Sequence, residues 1–251
     1  MVNETIKLLT QRRSIRKFTT DTIDDQTRSQ LELAAIHAPS SEFLNDWSAI
    51  RIEDQKLKEA IATLGKQPYI AEAALLYIFV LDEHRNTIIA QTKGVNDTDD
   101  NYTLNQGYRF TQAQNDAVLA LSAMMTVAES FGLGSVVLGS ILNDIPQMIE
   151  LLHLPKYTYP VLGLAIGKPD QNPTIKPRMK AEKFFFANQY ANDEEILNGL
   201  DQYDKEVHQY YDLRNTATPV DPFSSQIANK ATNTDVTHRG LQHAKAQGFE
   251  L

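Results

Sequence analysis

Cysteine is absent from this chain of 251 residues. A chain without thiols has no disulfide framework, no cysteine nucleophile and no thiolate metal site. Long apolar runs are missing as well, because no stretch approaches the roughly 20 residues that a membrane-spanning helix needs. The first residues also lack the apolar core and cleavage site of a signal peptide. These absences predict a cytoplasmic protein.

Positive charge is scarce, since 24 Lys and Arg face 32 Asp and Glu for a formal net charge of -8. Without a basic stripe, neither nucleic acid nor an anionic membrane is expected as a partner. Two short basic segments stand out, Arg12-Arg13-Ser14-Ile15-Arg16 and Lys176-Pro177-Arg178. Arginine binds phosphate oxygens bidentately, so the pair predicts a phosphate clamp. The alternative for the first segment is a solvated helix C-terminus, where cations complement the helix dipole.

Motifs for catalysis by protein side chains are missing too. The six histidines are scattered without metal-ligand spacing, and no phosphate-binding Gly-x-x-x-x-Gly-Lys-Ser/Thr loop occurs. Gly132-Leu133-Gly134 lacks the third glycine of a dinucleotide fingerprint, because Val137 stands in its place. Ser140 lacks the frame of a nucleophile elbow. The sequence therefore favours an enzyme that takes its chemistry from an organic cofactor and holds no metal.

Hydrophobic periodicity predicts alternating helices and strands, and hence an α+β or α/β sandwich. Helices are predicted over residues 5–11, 24–38, 54–64, 109–131, 143–152, 193–211 and 235–248. Strands are predicted over residues 48–53, 74–81, 135–138 and 159–166. The polar, turn-rich segment 215–237 is expected to cross the surface between helices.

Five motifs in a fixed order carry a resemblance to a known family. They are Arg12 to Phe18, Ser40-Ser41-Glu42-Phe43-Leu44, Gly65 to Ala71, Gly132 through Gly139, and Gly167 through Arg178. Their order resembles that of flavin-dependent nitroreductases, in the branch with oxygen-insensitive NADPH nitroreductases and NADPH:flavin reductases. The similarity runs from about Thr5 to Arg214.

The resemblance implies a single nitroreductase-like domain over residues 1–251. Its fold would be a three-layer α/β/α sandwich of the α+β class, with a mostly antiparallel central sheet and a long central helix. Such proteins are domain-swapped homodimers that bind FMN at the subunit interface. A C-terminal extension from about residue 192 to 251 would wrap the partner subunit.

The resemblance also assigns roles to individual residues. The FMN phosphate and ribityl chain would be bound by Arg12, Arg13, Ser14 and Arg16, with Lys176 and Arg178 approaching from the other side as cations that tune the flavin. The isoalloxazine ring would meet Ser40, Ser41, Gln67, Gly139 and Ser140. The substrate side would include Phe43 as a pocket wall and Arg214 as a contact for the 2'-phosphate of NADPH.

Simpler readings of three of these positions stay open at this point. Ser40 and Ser41 could form only the loop after a helix, Phe43 could belong to the core, and Arg214 could be an exposed cation at a helix end.

The implied activity is FMN-dependent reduction of small electron acceptors, with NADPH or NADH as the donor. Nitroaromatics, quinones and free flavins are the expected acceptors, and ping-pong hydride transfer through the flavin N5 atom is the expected mechanism. The alternative is a flavin-binding or storage protein with the same fold and no turnover. A dehalogenating or flavin-fragmenting relative is a further alternative, and it would need a lid over the substrate.

Overall fold

The computed structural model describes residues 3–213, 218–234 and 240–251, and the chain divides into two compact units. The first unit comprises residues 1–172 and 237–251, and the second comprises residues 173–236. Among the described residues, no helix is both long and apolar enough to cross a membrane.

A four-stranded antiparallel sheet forms the centre of the first unit. Its strands are β1 Trp47–Arg51, β2 Leu75–Asp82, β3 Gly134–Leu138 and β4 Thr158–Gly167. Their order in the sheet is β1-β2-β4-β3, so the longest strands, β2 and β4, occupy the middle. Both were predicted as buried strands from short, nearly unbroken apolar runs.

Most helices of the first unit begin at a residue whose side chain caps the first turn. The helices of this unit are α1 Glu4–Gln11, α2 Asp25–Ile36, α3 Gln55–Gly65, α4 Tyr69–Glu72, α5 Glu83–Gln91, α6 Gly107–Ser130, α7 Ile145–Leu151 and α11 Gln242–Ala246. Asn3, Asp24, Asp54 and Asp144 each accept a hydrogen bond from a backbone N–H of the first turn of the helix that follows.

Alternating side chains of β2 separate two apolar cores, one on each face of the sheet. Phe79 packs in a cluster with Leu31 of α2 and Ala117 of α6. Ile78 points to the opposite face and packs in a cluster with Ile61 of α3. Helices therefore cover both faces, and the predicted three-layer α/β/α arrangement around a long helix is confirmed.

The second unit contains α8 Asp193–Leu197, α9 Leu200–His208 and α10 Phe223–Ala231. The prediction of one helix over residues 193–211 is wrong. Gly199 adopts a left-handed conformation with φ of 75° and separates α8 from α9. The polar segment after residue 215 was read as a surface crossing, yet it holds α10. Tertiary contact explains this helix, since Asp204 of α9 accepts a hydrogen bond of 2.8 Å from the Ser224 backbone N–H.

Three further elements differ from the sequence prediction, and one of them is the short helix α4, which was not predicted. The final helix was predicted over residues 235–248, of which residues 235–239 lie outside the described residues and only Gln242–Ala246 is helical among the others. Helix α5 was not predicted, because its residues have no clear apolar face. Asp82 caps its start by accepting a hydrogen bond from the Arg85 backbone N–H at 3.0 Å.

Candidate active site

The first basic segment runs along the edge of the sheet beside β3. The Ile15 backbone N–H donates to the Ser135 carbonyl at 2.9 Å, and Ser14 pairs with Ser135 as in a parallel ladder. A side chain on Gly134 would place its Cβ only 2.7 Å from Ile15, so glycine permits this close approach. The segment begins at Arg12, which caps the end of α1, and continues as extended chain held against the sheet; it is not a solvated helix end.

Arg12 is anchored by a carboxylate of the long helix α6. Its Nε donates to Glu129 Oε1 at 3.1 Å, and the same oxygen accepts a hydrogen bond of 2.7 Å from Ser135 Oγ. The Arg12 Nη2 atom is buried and meets no acceptor among the described residues. The anchoring therefore orients the guanidinium and leaves part of its hydrogen-bonding capacity unused.

The other two arginines of the segment also have donors to spare. Arg13 Nη1 donates to Asn172 Oδ1, while the buried Arg13 Nε has no acceptor within the described ranges. Arg16 is half-buried and makes no hydrogen bond or ion pair with any residue that the structure describes. A buried donor without an acceptor costs about 1–3 kcal/mol, so these atoms fit a ligand rich in anionic oxygens.

A cavity of about 540 Å³ opens at this segment. Its lining includes Lys7 and Gln11 of α1 together with Arg12, Arg13 and Asn172. The donors of this lining suit a phosphate ester, and two carboxylates, Glu4 and Glu129, lie in the same lining.

The loop of residues 40–45 follows α2 and carries the two predicted serines. Ser41 donates to Asp116 twice, from its backbone N–H at 2.7 Å and from its Oγ at 2.9 Å. Ser40 Oγ accepts a hydrogen bond of 2.7 Å from the Asn45 backbone N–H. The Phe43 side chain is 85% exposed, so the alternative that it belongs to the core is wrong.

Gln67 and Ser140 form a hydrogen bond in the first unit. The Gln67 Oε1 atom accepts hydrogen bonds from Tyr69 Oη at 2.6 Å and from Ser140 Oγ at 2.9 Å. A contact of 2.6 Å is typical of an O–H donor and too short for a usual N–H donor. The amide oxygen is thus occupied, which leaves the Gln67 amide nitrogen as the group that can donate to a ligand. Beside Ser140, a Cβ on Gly139 would meet nothing within 4 Å, so the backbone there borders open space.

The second basic segment lies in the second unit. Lys176 Nζ pairs with Asp212 at 3.1 Å and lies 5.8 Å from the centre of the Tyr210 ring. Arg178 donates to the carbonyl oxygens of Lys176 and Pro177. The predicted role of both cations at the flavin stays a prediction. Arg214 lies outside the described residues.

Buried carboxyl groups lie behind the loop of residues 40–45. Asp46 and Glu83 are fully buried and Asp116 is 1% exposed. Burial raises the pKa of Asp46 to about 7, and the neighbouring Asp116 carboxyl adds to the rise. Burial also raises the pKa of Glu83 to about 7, against the opposing effect of a hydrogen bond from Asn86.

Sequence reasoning missed Glu129 and Asp116, the two acidic residues through which α6 holds the site. One signal was present: Asp116 lies between Ala113, Ala117 and Ala120, in register with the apolar stripe of the helix. A charged residue on such a stripe has to find polar partners when it is buried. Among the described residues, no group of three or more His, Asp or Glu side chains is arranged to hold a metal ion.

Comparison with known proteins identifies the class to which this fold and site belong. The nitroreductase family model matches residues 9–168, and the model of the C-terminal domain of that family matches residues 176–251. The chain is 34% identical over 232 residues to an NADPH-dependent oxidoreductase of Staphylococcus saprophyticus, with 91% of each protein covered.

Solved structures with a similar fold come from two further organisms. The hypothetical oxidoreductase YcnD of Bacillus subtilis superposes with a TM-score of 0.90 at 30% identity, covering 100% of this chain and 99% of that one. The NADPH:FMN oxidoreductase of Vibrio harveyi, complexed with NAD⁺, has a TM-score of 0.84 at 29% identity, with 98% and 99% covered.

The class is therefore that of FMN-dependent oxidoreductases that take electrons from NAD(P)H. The chain belongs to the nitroreductase family.

Proposed function

We propose that this oxidoreductase passes electrons from NAD(P)H to nitroaromatics, quinones or free flavins, with donor and acceptor using one pocket in turn. FMN, when bound, supplies the hydride transfer through its N5 atom. The observation that carries the proposal is the pair of buried arginine donors, Arg12 Nη2 and Arg13 Nε, that meet no acceptor among the described residues. The oxygens of the FMN phosphate would satisfy them.

The proposed phosphate end of the site consists of Arg12, Arg13, Ser14 and Arg16. Its support is the cavity lined by Arg12 and Arg13, the ion pair that orients Arg12 on Glu129, and the absence of any described partner for Arg16, which does not line that cavity. Because charge-assisted hydrogen bonds are roughly twice as strong as neutral ones, this end would provide most of the anchoring.

The proposed ring end consists of Ser40, Ser41, Gln67, Gly139 and Ser140. The Gln67 amide nitrogen is available to donate to the polar edge of the ring, and open space borders Gly139. Phe43 exposes its side chain and would form a wall for donor and acceptor.

The second basic segment keeps its proposed role. Lys176 and Arg178 would be cations that stabilise the reduced flavin electrostatically, without transferring protons themselves.

NADPH is the proposed donor, because the named relatives of Staphylococcus are NADPH-dependent oxidoreductases. Arg214 is the proposed contact for its 2'-phosphate. Arg214→Ala should lower kcat/KM for NADPH and spare NADH, whereas Lys230→Ala, which removes another cation of the second unit, should change neither. An equal loss for both coenzymes would contradict this role.

A homodimer is the proposed assembly, and the cytoplasm, where reduced nicotinamide coenzymes are made, is the proposed location. Exposed apolar side chains on two packed helices support self-association: Leu33 and Ile36 on α2 and Val118 and Leu119 on α6 are 38 to 66% exposed. The mass of one chain is 28.3 kDa, and sedimentation equilibrium should give twice this value. A monomer at micromolar concentration would contradict the assembly.

Purified protein tests the activity directly. It should be yellow, and NADPH should bleach it in the absence of oxygen. Nitrofurazone, menadione or free FMN should then restore the colour, and the relative rates decide between nitroreductase and flavin reductase. A protein that binds FMN but is not bleached by either coenzyme would instead be the flavin-binding alternative.

Arg16→Gln tests the phosphate end without disturbing a described contact of that side chain. Loss of one charge-assisted hydrogen bond, worth about 1.5–3 kcal/mol, should weaken FMN binding about ten- to hundredfold. Lys17→Gln is the matched control, because it removes the same charge one residue away. Among the described residues, Lys17 forms an ion pair only with the exposed Asp170, at 2.6 Å. Equal weakening by both variants would indicate a general field effect and no clamp.

A further inference from the structure

Three buried carboxyl groups face the back of the loop of residues 40–45, and none has a role in the proposed function. They belong to Asp46 at the end of the loop, Glu83 at the start of α5 and Asp116 in the middle of α6. Only Asp116 contacts the loop through both carboxyl oxygens, which accept from the Ser41 backbone N–H and from its Oγ. Asp116 therefore joins a predicted flavin-lining serine to the longest helix of the unit.

The loop depends on contacts of this kind. Glu42, Phe43 and Asn45 have positive φ angles of 51°, 61° and 51°. Residues with side chains adopt this left-handed region only where surrounding contacts hold them. Without Asp116, the backbone N–H and hydroxyl of Ser41 lose their acceptors on the inner side of the loop.

Both helices behind the loop also hold it by charged and polar groups. Arg109 Nη1 of α6 donates to Glu42 Oε2 at 3.0 Å, and Asn86 Nδ2 of α5 donates to the Leu44 carbonyl at 3.3 Å. The charged groups around the three carboxyls are Glu42 of the loop, Arg109 of α6, and Asp82 and Arg85 at the start of α5.

Asp46 differs from Asp116 in what surrounds its oxygens. Neither Asp46 oxygen meets a donor among the described residues, and the neighbouring Asp116 carboxyl contributes to its raised pKa. Two carboxyl groups make a hydrogen bond to each other only when one of them carries a proton. Asp116 already accepts two hydrogen bonds, so the proton belongs on Asp46, in agreement with the raised pKa of that group.

We propose that Asp116 is a positioning residue, which holds Ser41 and with it the loop in place along the flavin, and that Asp46, fully buried and without a described donor of its own, supports it by donating a hydrogen bond to its carboxylate. The inference rests on the proposed function, because it assumes that this loop lines the ring. It predicts that the two aspartates respond differently to the same substitution.

Asp116→Asn and Asp46→Asn are the informative pair. An asparagine at 116 has only one acceptor oxygen and turns an N–H group towards a Ser41 donor, so it loses at least one of the two contacts. An asparagine at 46 imitates the protonated acid and stays neutral at every pH. Asp24→Asn is the matched control, because Asp24 accepts from the backbone N–H and hydroxyl of Thr27 at 2.8 and 2.9 Å, at the start of α2.

The measurement is FMN release from diluted holoenzyme, followed by flavin fluorescence between pH 6 and pH 8.5. Asp116→Asn should raise the FMN Kd about tenfold or more, the loss expected for a hydrogen bond to a charged group. Asp24→Asn should leave it unchanged. In the wild-type protein, Asp46 ionises beside Asp116 as the pH rises, and this should raise the FMN Kd. The rise should be about three- to tenfold larger than in Asp46→Asn, which corresponds to about half to one unit of pKa.

Several outcomes would overturn the inference. They are an Asp116→Asn protein that binds FMN like the wild type, equal weakening by the substitutions at 24 and 116, and the same pH dependence in wild type and Asp46→Asn. If Asp116→Asn does not fold, the comparison of wild type with Asp46→Asn decides alone. A wild-type protein that holds no FMN would refute the proposed function instead, so the two failures are distinguishable.

Discussion

Replacing Asp46 by asparagine should stabilise the protein far more at pH 8 than at pH 5. Asp46 is fully buried, and burial raises its pKa from 3.8 to about 7. Between these values the folded protein holds a proton that the unfolded chain has released. The free energy of unfolding therefore falls as the pH rises from about 4 to about 7, and it changes no further above that range.

The magnitude follows from the width of this interval. From pH 5 to pH 7 the wild-type protein loses about 1.4 kcal/mol per pH unit on account of Asp46, or about 3 kcal/mol in all. Asparagine does not titrate, and its amide can donate to Asp116 as the protonated acid does. The free energy of unfolding of Asp46→Asn minus that of the wild type should thus be about 3 kcal/mol larger at pH 8 than at pH 5.

Urea unfolding of the holoenzyme, followed by far-ultraviolet circular dichroism at both pH values, measures this difference. Equal m-values for the two proteins are required, so that a change of midpoint reports a change of stability. An effect of the same size at pH 5 and pH 8 would refute the reasoning, because it would mean that Asp46 has the same protonation state at both. Destabilisation that grows with pH would refute it as well.

Three further substitutions test the packing and the site. Gly134→Ala places a Cβ 2.7 Å from Ile15 and should destabilise the protein by about 1–3 kcal/mol in thermal or urea unfolding, and an unchanged stability would contradict the close approach. Gly139→Ala meets nothing within 4 Å, so it should leave unfolding unchanged while raising the FMN Kd; normal FMN binding would remove Gly139 from the site. Tyr69→Phe deletes a 2.6 Å hydrogen bond to Gln67 and should weaken FMN binding about fivefold, for a loss of about 1 kcal/mol. If Tyr69→Phe binds FMN with the wild-type affinity, the hydrogen bond from Tyr69 to Gln67 does not support FMN binding.

The elements that could be predicted are those whose residues carry a local pattern. Strand β2 is an unbroken apolar run, and α6 repeats small and apolar residues at helical spacing. The break at Gly199 was missed because a glycine inside a helical pattern is often tolerated, and here the backbone uses its left-handed freedom. Helix α10 was missed because its stabilisation comes from contact with α9, which no local pattern contains.

The same division applies to the site. The order of the motifs, through the family resemblance, indicated FMN as the cofactor and the arginines as its ligands, because residue types and their spacing can be read directly from the sequence. The partners of those side chains are far apart along the chain: Arg12 pairs with Glu129, and Ser41 with Asp116. Which residues become partners, and which donors stay without one, depends on how the sheet and α6 bring these positions together.

The sequence by itself indicated the fold class through its periodicity. Through the resemblance of its motifs, it also indicated the family and the basic side chains that would bind an anionic flavin cofactor. Periodicity, motifs and their order can all be read along the chain without knowledge of its tertiary contacts. Only the tertiary structure decided that the pKa of Asp46 is raised. Its pKa depends on the loss of solvent and on a second carboxyl contributed by a helix 70 residues away along the chain, and neither exists before the chain folds.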